Sequence, residues 1–236
     1  MQGKTLASTN KTIESFPEWV KTSTGRHLSL YQNLHRHDVK PFLFIGGVHG
    51  DEPEGVRLAE EFLIWLNKHS EESDHPWILI PCLNPDGYSQ NQRTNANGVD
   101  LNRNFPALDW KKSENKDRYF SGLEPASEIE IQATVQLVEK YKPRAIFHFH
   151  SWKPCVVYTG KSGAKLAKLL TIGNGYESRE DIGYPTPGSL GQWGWLNCQT
   201  PVICIEEQEN ADLNSVWPHF SQGLQKLIKG DLTDVI

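Results

Sequence analysis

The sequence lacks an excess of basic charge, a long hydrophobic run and any CxxC cysteine pair. Lysine and arginine total 24 against 29 aspartates and glutamates, giving a net charge of −5, whereas nucleic-acid-binding proteins normally carry a basic patch or stripe. No segment approaches the roughly 18 consecutive apolar residues of a membrane span. The four cysteines predict neither a disulfide framework nor a structural zinc site. We therefore expect neither a nucleic-acid nor a membrane partner.

The N-terminus is polar and shows no targeting signal. Residues 1–19 read MQGKTLASTNKTIESFPEW and lack the apolar core of a secretory signal peptide, so we expect a cytoplasmic protein. The chain has 236 residues, against about 150 for an average domain. It contains no internal repeat and no linker rich in proline, glycine or serine. We therefore expect one domain over residues 1–236.

The sequence alternates between short apolar runs and longer segments with helical spacing of apolar residues. The apolar runs predict strands at 27–34, 41–47, 77–83, 145–149 and 202–205. The helical spacing predicts helices at 53–68, 127–141, 161–172 and 214–228. Almost continuously apolar strands between helices are typical of an α/β sheet covered on both faces. Such sheets bind ligands at the carboxyl ends of their strands, so functional side chains are expected to follow strands.

Three potential zinc ligands follow two of the predicted strands. His49 and Glu52 lie in the turn after the second strand, and His150 comes directly after the fourth. Two imidazoles and a carboxylate, with a fourth position open for water, form a catalytic zinc arrangement. Because side chains alternate along a strand, His148 shares the face of His150. We interpret His148 as a buried imidazole that supports the ligands.

Two carboxylates follow the last predicted strand. Glu206 and Glu207 come after the apolar run VICI and project to opposite faces of the strand. A carboxylate beside bound zinc can act as general base on a water molecule. We expect Glu206 to be this base, because it follows the apolar run directly.

The segment from residue 84 to residue 122 has weak periodicity and many asparagines, glycines and aspartates. A segment of this length without regular structure is more often functional than idle in a compact domain. It contains Arg93 and Arg103, whose planar guanidinium groups suit a carboxylate or a developing oxyanion. Isolated arginines are more often solvated surface groups, so a functional role for these two depends on the motifs around them.

Together these motifs resemble the zinc carboxypeptidase family, which is the carboxypeptidase A superfamily. The resemblance covers residues 49–206 in the family's order. It is carried by the motifs His49-x-x-Glu52, Asn84-Pro-Asp-Gly87, Gly98-Val-Asp-Leu-Asn-Arg-Asn-Phe105, His150-Ser-Trp152 and Glu206. The stretch from Arg93 to Pro106 is most similar to the bacterial murein-peptide amidases, which are cytosolic members of the family.

The resemblance implies roles for individual residues. His49, Glu52 and His150 would hold zinc, and Glu206 would be the general base. Arg93 would stabilise the oxyanion of the transition state. Asn102 and Arg103 would clamp the free carboxylate of the substrate. Tyr184 would be the tyrosine that covers the substrate. Tyr158 and Tyr176 are the alternatives for the tyrosine.

The resemblance also implies the fold and the substrate class. The fold would be a single α/β domain with a mixed, largely parallel sheet between helices. The substrate would be a small peptide with a free carboxylate, and in the amidase subgroup the cleaved bond joins γ-D-glutamate to diaminopimelate. Leu190 lies where the family sets its side-chain preference and carries no charge. Asp181 and Glu207 are therefore the candidates to pair with the side-chain ammonium of diaminopimelate.

Three other functions share parts of this pattern. An ordinary C-terminal metallocarboxypeptidase would use the same residues on an α-peptide bond. An N-acyl-amino-acid deacylase related to desuccinylases and aspartoacylases would keep the zinc ligands, but the Asn-Pro-Asp-Gly and Asn-Arg-Asn-Phe-Pro stretches favour a peptidase. A non-catalytic carboxylate-binding module would usually have lost a ligand or the base, and all of them are present here.

Overall fold

The structure is a computed structural model that describes residues 12–115, 117–230 and 232. In this part of the chain eight strands form one sheet: β1 (Glu14–Lys21), β2 (His27–Asn33), β3 (Phe42–Ile45), β4 (Trp77–Ile80), β5 (Ala145–Trp152), β6 (Cys155–Tyr158), β7 (Glu177–Arg179) and β8 (Val202–Gln208). The helices are α1 (Pro53–Lys68), α2 (Pro85–Gln90), α3 (Ile129–Tyr141), α4 (Gly160–Leu170), α5 (Leu190–Leu196) and α6 (Leu213–Lys229). Both ends of the expected domain, residues 1–11 and 233–236, lie outside the described residues.

The sheet is mixed and has a parallel centre, which confirms the predicted architecture. The strand order is β1-β2-β4-β3-β5-β8-β6-β7. The four central strands β4, β3, β5 and β8 are parallel, whereas β2 and β6 run antiparallel to the central strands they flank. Every residue of β3 and β4 is buried, as expected for strands covered on both faces. Among the described residues, no helix combines the length and apolarity needed to cross a bilayer.

Helices cover the two faces of the sheet through alternate strand residues. Phe44 and Phe147 point to one face, where their rings stack with centroids 5.0 Å apart and join the core formed with α1, α4 and α6. Leu43 and Ile45 point to the other face and join the core formed with α3 and α5. The continuous apolar runs therefore reflect burial on both sides, as the sequence predicted.

The structure extends two of the predicted strands into the candidate site. The predicted strand at 145–149 continues to Trp152, and the one at 202–205 continues to Gln208. In the parallel pairing of β5 with β8, His150 lies opposite Glu206. The sequence prediction missed this extension because it relied on apolar continuity, and the added strand residues include polar ones.

Several elements were not predicted from the sequence. β1 is mostly exposed, contains Pro17 and has an irregular register between Phe16 and Val20, so it shows no apolar alternation. Proline and irregular pairing are typical of edge strands. The short elements β6, β7 and α5 were also missed, because each gives too short a window for periodicity.

The loop at 84–122 is ordered by its own polar side chains. It contains α2 and a 3-10 turn at Leu101–Arg103. The Asn84 side chain caps α2 by accepting a bond from Gly87 N at 2.9 Å, and Asn104 Nδ2 donates to Ser121 O at 2.8 Å. These amides satisfy backbone groups that no helix or strand pairs, which explains why the loop is rich in asparagine.

The turn after β3 is packed tightly against this loop. A Cβ atom at Gly50 would lie 2.0 Å from the Gly87 carbonyl carbon and 2.2 Å from Tyr88 N. Glycine is thus required between His49 and Asp51, because only a residue without a side chain permits this approach. The contact fixes the turn that carries His49 against α2.

Candidate active site

The carboxyl ends of β3, β5 and β8 meet at a cavity of about 340 Å³, which we call the main pocket. Its position agrees with the general rule that α/β sheets bind ligands at this edge. Every residue expected to bind zinc, to catalyse, or to clamp or cover the substrate lines the main pocket: His49, Glu52, Arg93, Asn102, Arg103, His150, Tyr184 and Glu206.

The three predicted metal ligands converge on one point. Each oxygen of the Glu52 carboxylate contacts one imidazole: Oε1 lies 2.7 Å from His49 Nδ1, and Oε2 lies 2.7 Å from His150 Nδ1. The two Nδ1 atoms are 3.0 Å apart, and all three side chains are buried. The three donor atoms could therefore bind one cation together. Two histidines and one carboxylate are the donor set of a catalytic zinc site.

Neighbouring side chains orient both histidines. His49 Nε2 lies 3.1 Å from Asp100 Oδ1, and His150 Nε2 lies 2.8 Å from His148 Nδ1. Partners of this kind fix the tautomer and the ring orientation of metal ligands. The structure thus gives His148 the supporting position predicted for it.

Asp100 is a site residue that the sequence prediction did not assign. It is fully buried and also accepts a bond from Arg93 Nε at 2.9 Å. Burial alone would raise the pKa of Asp100, but the nearby His49 and Arg93 hold this pKa below its ordinary value. Its place in the motif Gly98-Val-Asp-Leu was the available signal.

The arginines lie on the loop side of the main pocket. Arg93 is also bonded through Nη1 to Glu52 Oε1 at 3.2 Å, so its guanidinium borders the candidate metal ligands. Arg103 donates to the Asn102 backbone carbonyl at 2.7 Å. Asn102 Oδ1 accepts a bond from Leu190 N at 2.9 Å, which ties the start of α5 to the loop. Arg93 and Arg103 therefore both lie on the loop side of the main pocket, and hydrogen bonds to neighbouring site residues hold each of them in place.

Glu206 faces the candidate metal ligands. Its side chain is buried, and Cys204 Sγ donates to its Oε1 at 3.3 Å. Burial raises the pKa of Glu206, and the negative charge of Glu52 raises it further. A cation bound at Glu52 would offset the second effect and lower this pKa.

Glu207 occupies the opposite face, as predicted from strand alternation. It accepts bonds from the Tyr176 hydroxyl and from His219 Nδ1, the latter at 2.6 Å. Its side chain is buried there and does not line the main pocket. The hypothesis that Glu207 pairs with a substrate ammonium is therefore wrong. Asp181 lines a neighbouring cavity of about 650 Å³ and stays a candidate.

Tyr184 is the one of the three candidate tyrosines that lines the main pocket. It is 42% exposed, and its ring meets Trp152 edge-on at 5.7 Å. Tyr158 and Tyr176 instead pack against the core on the α1 side of the sheet. Leu190 is fully buried, while its neighbour Gly191 lines the pocket, so Leu190 does not meet a substrate as the resemblance implied.

Arg118 and Tyr119 also line the main pocket and were missed by the sequence prediction. The Tyr119 ring contacts the guanidinium groups of Arg93, Arg103 and Arg118 at 5.2, 5.7 and 5.4 Å from its centroid. Both residues lie in the loop at 84–122. Its sequence has no periodicity that would distinguish a pocket residue from any other polar residue.

Comparison with known proteins agrees with this geometry. The family model described as zinc carboxypeptidase matches residues 5–226. Murein peptide amidase A of Escherichia coli K12 is 36% identical over 162 residues, which cover 64% of this chain and 64% of that protein. The match thus spans slightly less than two thirds of that relative's length. Murein peptide amidase A of Vibrio campbellii is 30% identical over 175 residues, covering 70% of this chain and 68% of that protein.

Solved structures show the same fold. The crystal structure of murein-tripeptide amidase from Escherichia coli O157 has a TM-score of 0.74 at 25% identity, covering 93% of this chain and 92% of that one. Bovine thrombin-activatable fibrinolysis inhibitor has a TM-score of 0.78 at 17% identity, covering 92% and 88%, and supports the fold alone. The family resemblance read from the motifs is confirmed, and the chain belongs to the zinc carboxypeptidase family.

Proposed function

We propose that this protein hydrolyses the amide bond between γ-D-glutamate and diaminopimelate in murein peptides. The observation that carries the proposal is one pocket that joins a His₂Glu cluster, the buried carboxylate of Glu206 and the guanidinium of Arg103. The murein peptide amidases among its relatives support the choice of substrate. The proposal includes a role in recycling cell-wall peptides in the cytoplasm.

His49, Glu52 and His150 fit a zinc ion. Their donor atoms already face one another, and Asp100 and His148 hold the two imidazoles from behind. Zinc in such a site polarises the scissile carbonyl and makes a water molecule acidic near neutral pH.

Glu206 moves the proton. It accepts a proton from the attacking water and delivers it to the leaving nitrogen of diaminopimelate. Burial and the negative charge of Glu52 both raise the pKa of Glu206, so its protonation depends on the charge at Glu52. Arg93, on the loop side, donates hydrogen bonds to the oxyanion that develops on the carbonyl oxygen.

The remaining residues position the substrate. Arg103 forms two parallel hydrogen bonds with the carboxylate next to the leaving nitrogen, and Asn102 assists it. Tyr184 covers the bound substrate from the opposite wall. Asp181 accepts the ammonium of the diaminopimelate side chain in this proposal, which is supported by the cavity that Asp181 and Tyr184 both line.

The substrate assignment is tested by a panel of amides. Zinc-loaded protein is expected to release diaminopimelate from L-Ala-γ-D-Glu-diaminopimelate and to lose this activity when zinc is chelated. Ordinary C-terminal L-peptides and N-acyl amino acids are assayed beside it. Cleavage of the L-peptides alone would instead identify a metallocarboxypeptidase, and carboxypeptidase SOL1 of Arabidopsis thaliana is among the relatives. Cleavage of the acyl amino acids alone would identify a deacylase.

The Asp100→Asn variant is expected to weaken zinc binding by about 10-fold to 100-fold. Asparagine can still accept from Arg93, but it removes the negative charge that orients and polarises His49. The zinc dissociation constant, measured by competition with a chromophoric chelator, checks this. Asp38→Asn is the matched control, because Asp38 pairs with Arg36 at the surface. Equal zinc affinity in all three proteins would contradict the role of Asp100.

A further inference from the structure

Arg118 differs from the other two arginines around Tyr119 in what it contacts. Arg93 is bonded to two buried carboxylates. The Arg118 side chain is 59% exposed, and its nearest ionic contact is with Asp51 at 3.5 Å, longer than the usual 2.9 Å or so of a hydrogen bond. Its guanidinium therefore offers donors to a ligand in the pocket.

The loop that carries Arg118 is anchored to the catalytic centre. Asp100 N donates to Phe120 O at 2.8 Å, and Phe120 is buried. Tyr119 N donates to Asp117 Oδ1 at 2.8 Å. Because Asp100 also contacts His49, two short links connect the position of Arg118 to that of the metal ligands. Arg118 is thus placed as a site residue despite its exposure.

Another cavity, of about 460 Å³, opens beside the main pocket, and we call it the side groove. Asp51, Arg93 and Arg118 line both the main pocket and the side groove, whereas Asn102 and Arg103 line only the main pocket. A substrate with its leaving-group carboxylate at Arg103 and its reacting carbonyl at Arg93 therefore extends its acyl portion toward the side groove.

We propose that Arg118, supported by the Tyr119 ring, binds a carboxylate on the acyl side of the scissile amide. The inference rests on the proposed function, and it specifies how the site recognises its substrate. A γ-glutamyl residue keeps its α-carboxylate free when its side-chain carboxyl forms the amide. In an α-peptide the α-carboxyl is itself part of the peptide bond, so no α-carboxylate is free. Arg118 therefore selects γ-glutamyl amides over α-peptides whose acyl residue carries no free carboxylate.

The test combines an enzyme substitution with a substrate substitution. The two substrates are L-Ala-γ-D-Glu-diaminopimelate and the same tripeptide with the α-carboxylate of D-glutamate converted to a carboxamide. Arg118→Gln is expected to lower kcat/KM on the carboxylate substrate by about 10-fold to 100-fold and to leave the carboxamide substrate within about twofold. Arg118→Lys is expected to retain part of the preference, because it keeps the charge but not the planar fork.

A matched control is Arg36→Gln, which removes another exposed arginine paired with an aspartate and is expected to change neither rate. Equal losses of Arg118→Gln on both substrates, or no loss on either, would overturn the inference. A second pair of substrates, α-peptides with Glu or Gln as the acyl residue, separates the two proposals. If the wild type cleaves only these and prefers Glu through Arg118, the carboxylate site stands and the murein assignment falls. If it cleaves only these without that preference, both fall.

Discussion

Replacing Glu206 with glutamine is expected to lower kcat on every cleaved amide by about 10²-fold to 10⁴-fold, the range for loss of a general base. Glutamine matches the shape of glutamate but cannot take the proton of the attacking water. KM is expected to change little, because Asn102 and Arg103 remain in place. The variant should fold at least as well as the wild type, since the substitution removes a buried negative charge that faces Glu52.

The neighbouring residue gives the control for this experiment. Glu207→Gln changes the same residue type one position along β8, but on the face where Tyr176 and His219 bind it. We expect this variant to lose thermal stability and to keep kcat within a few-fold of the wild type. Single-turnover and steady-state rates with zinc-saturated protein measure both variants. A Glu206→Gln protein with wild-type kcat would contradict the proposed mechanism.

Replacing His150 with alanine is expected to remove the metal and, with it, nearly all activity. The substitution deletes one of three ligands and leaves Glu52 with one imidazole partner. Lewis-acid activation is worth several kcal/mol of transition-state stabilisation, which at 1.36 kcal/mol per tenfold corresponds to a loss of about 10³-fold or more in kcat/KM. Zinc content after dialysis, measured by atomic emission, is expected to fall well below one equivalent.

The comparison variant is His148→Ala, for which we expect a smaller loss of zinc affinity. His148 contacts His150 Nε2 rather than the candidate metal position, so its loss should weaken zinc binding by about 10-fold to 100-fold without abolishing it. Activity should then return at high zinc concentration in His148→Ala but not in His150→Ala. Full zinc retention in His150→Ala would remove His150 from the ligand set.

The parts of the fold and site that could be predicted have a strong local signal. The central strands are buried on both faces, so β3 and β4 read as unbroken apolar runs. The metal-ligand candidates could be predicted because histidine and glutamate follow such runs, and the family's motifs placed them in order. The exact strand ends could not be predicted, since His150 and Glu206 are polar residues held inside strands by pairing between distant segments.

The loop residues were harder for a physical reason. Asp100 and Arg118 are defined by contacts with residues far away in sequence, and a loop without periodicity does not reveal such contacts. The expectation for Leu190 was wrong for a different reason. A substrate-facing family position was assigned to Leu190, but its side chain is buried in the core. Tertiary packing, rather than residue type, decides which of these positions meets the substrate.

The pairing of β5 with β8 holds one proposed metal ligand and the proposed base, whereas the arginines of the site lie outside the sheet. His150 and Glu206 sit opposite each other on adjacent strands, whose separation of about 4.8 Å is set by backbone hydrogen bonds. Arg93, Arg103 and Arg118 all come from the loop at 84–122. Substitutions at Arg103 and Arg118 are therefore expected to change which carboxylate-bearing amides bind, while the sheet keeps the proposed ligand and the proposed base at an unchanged spacing.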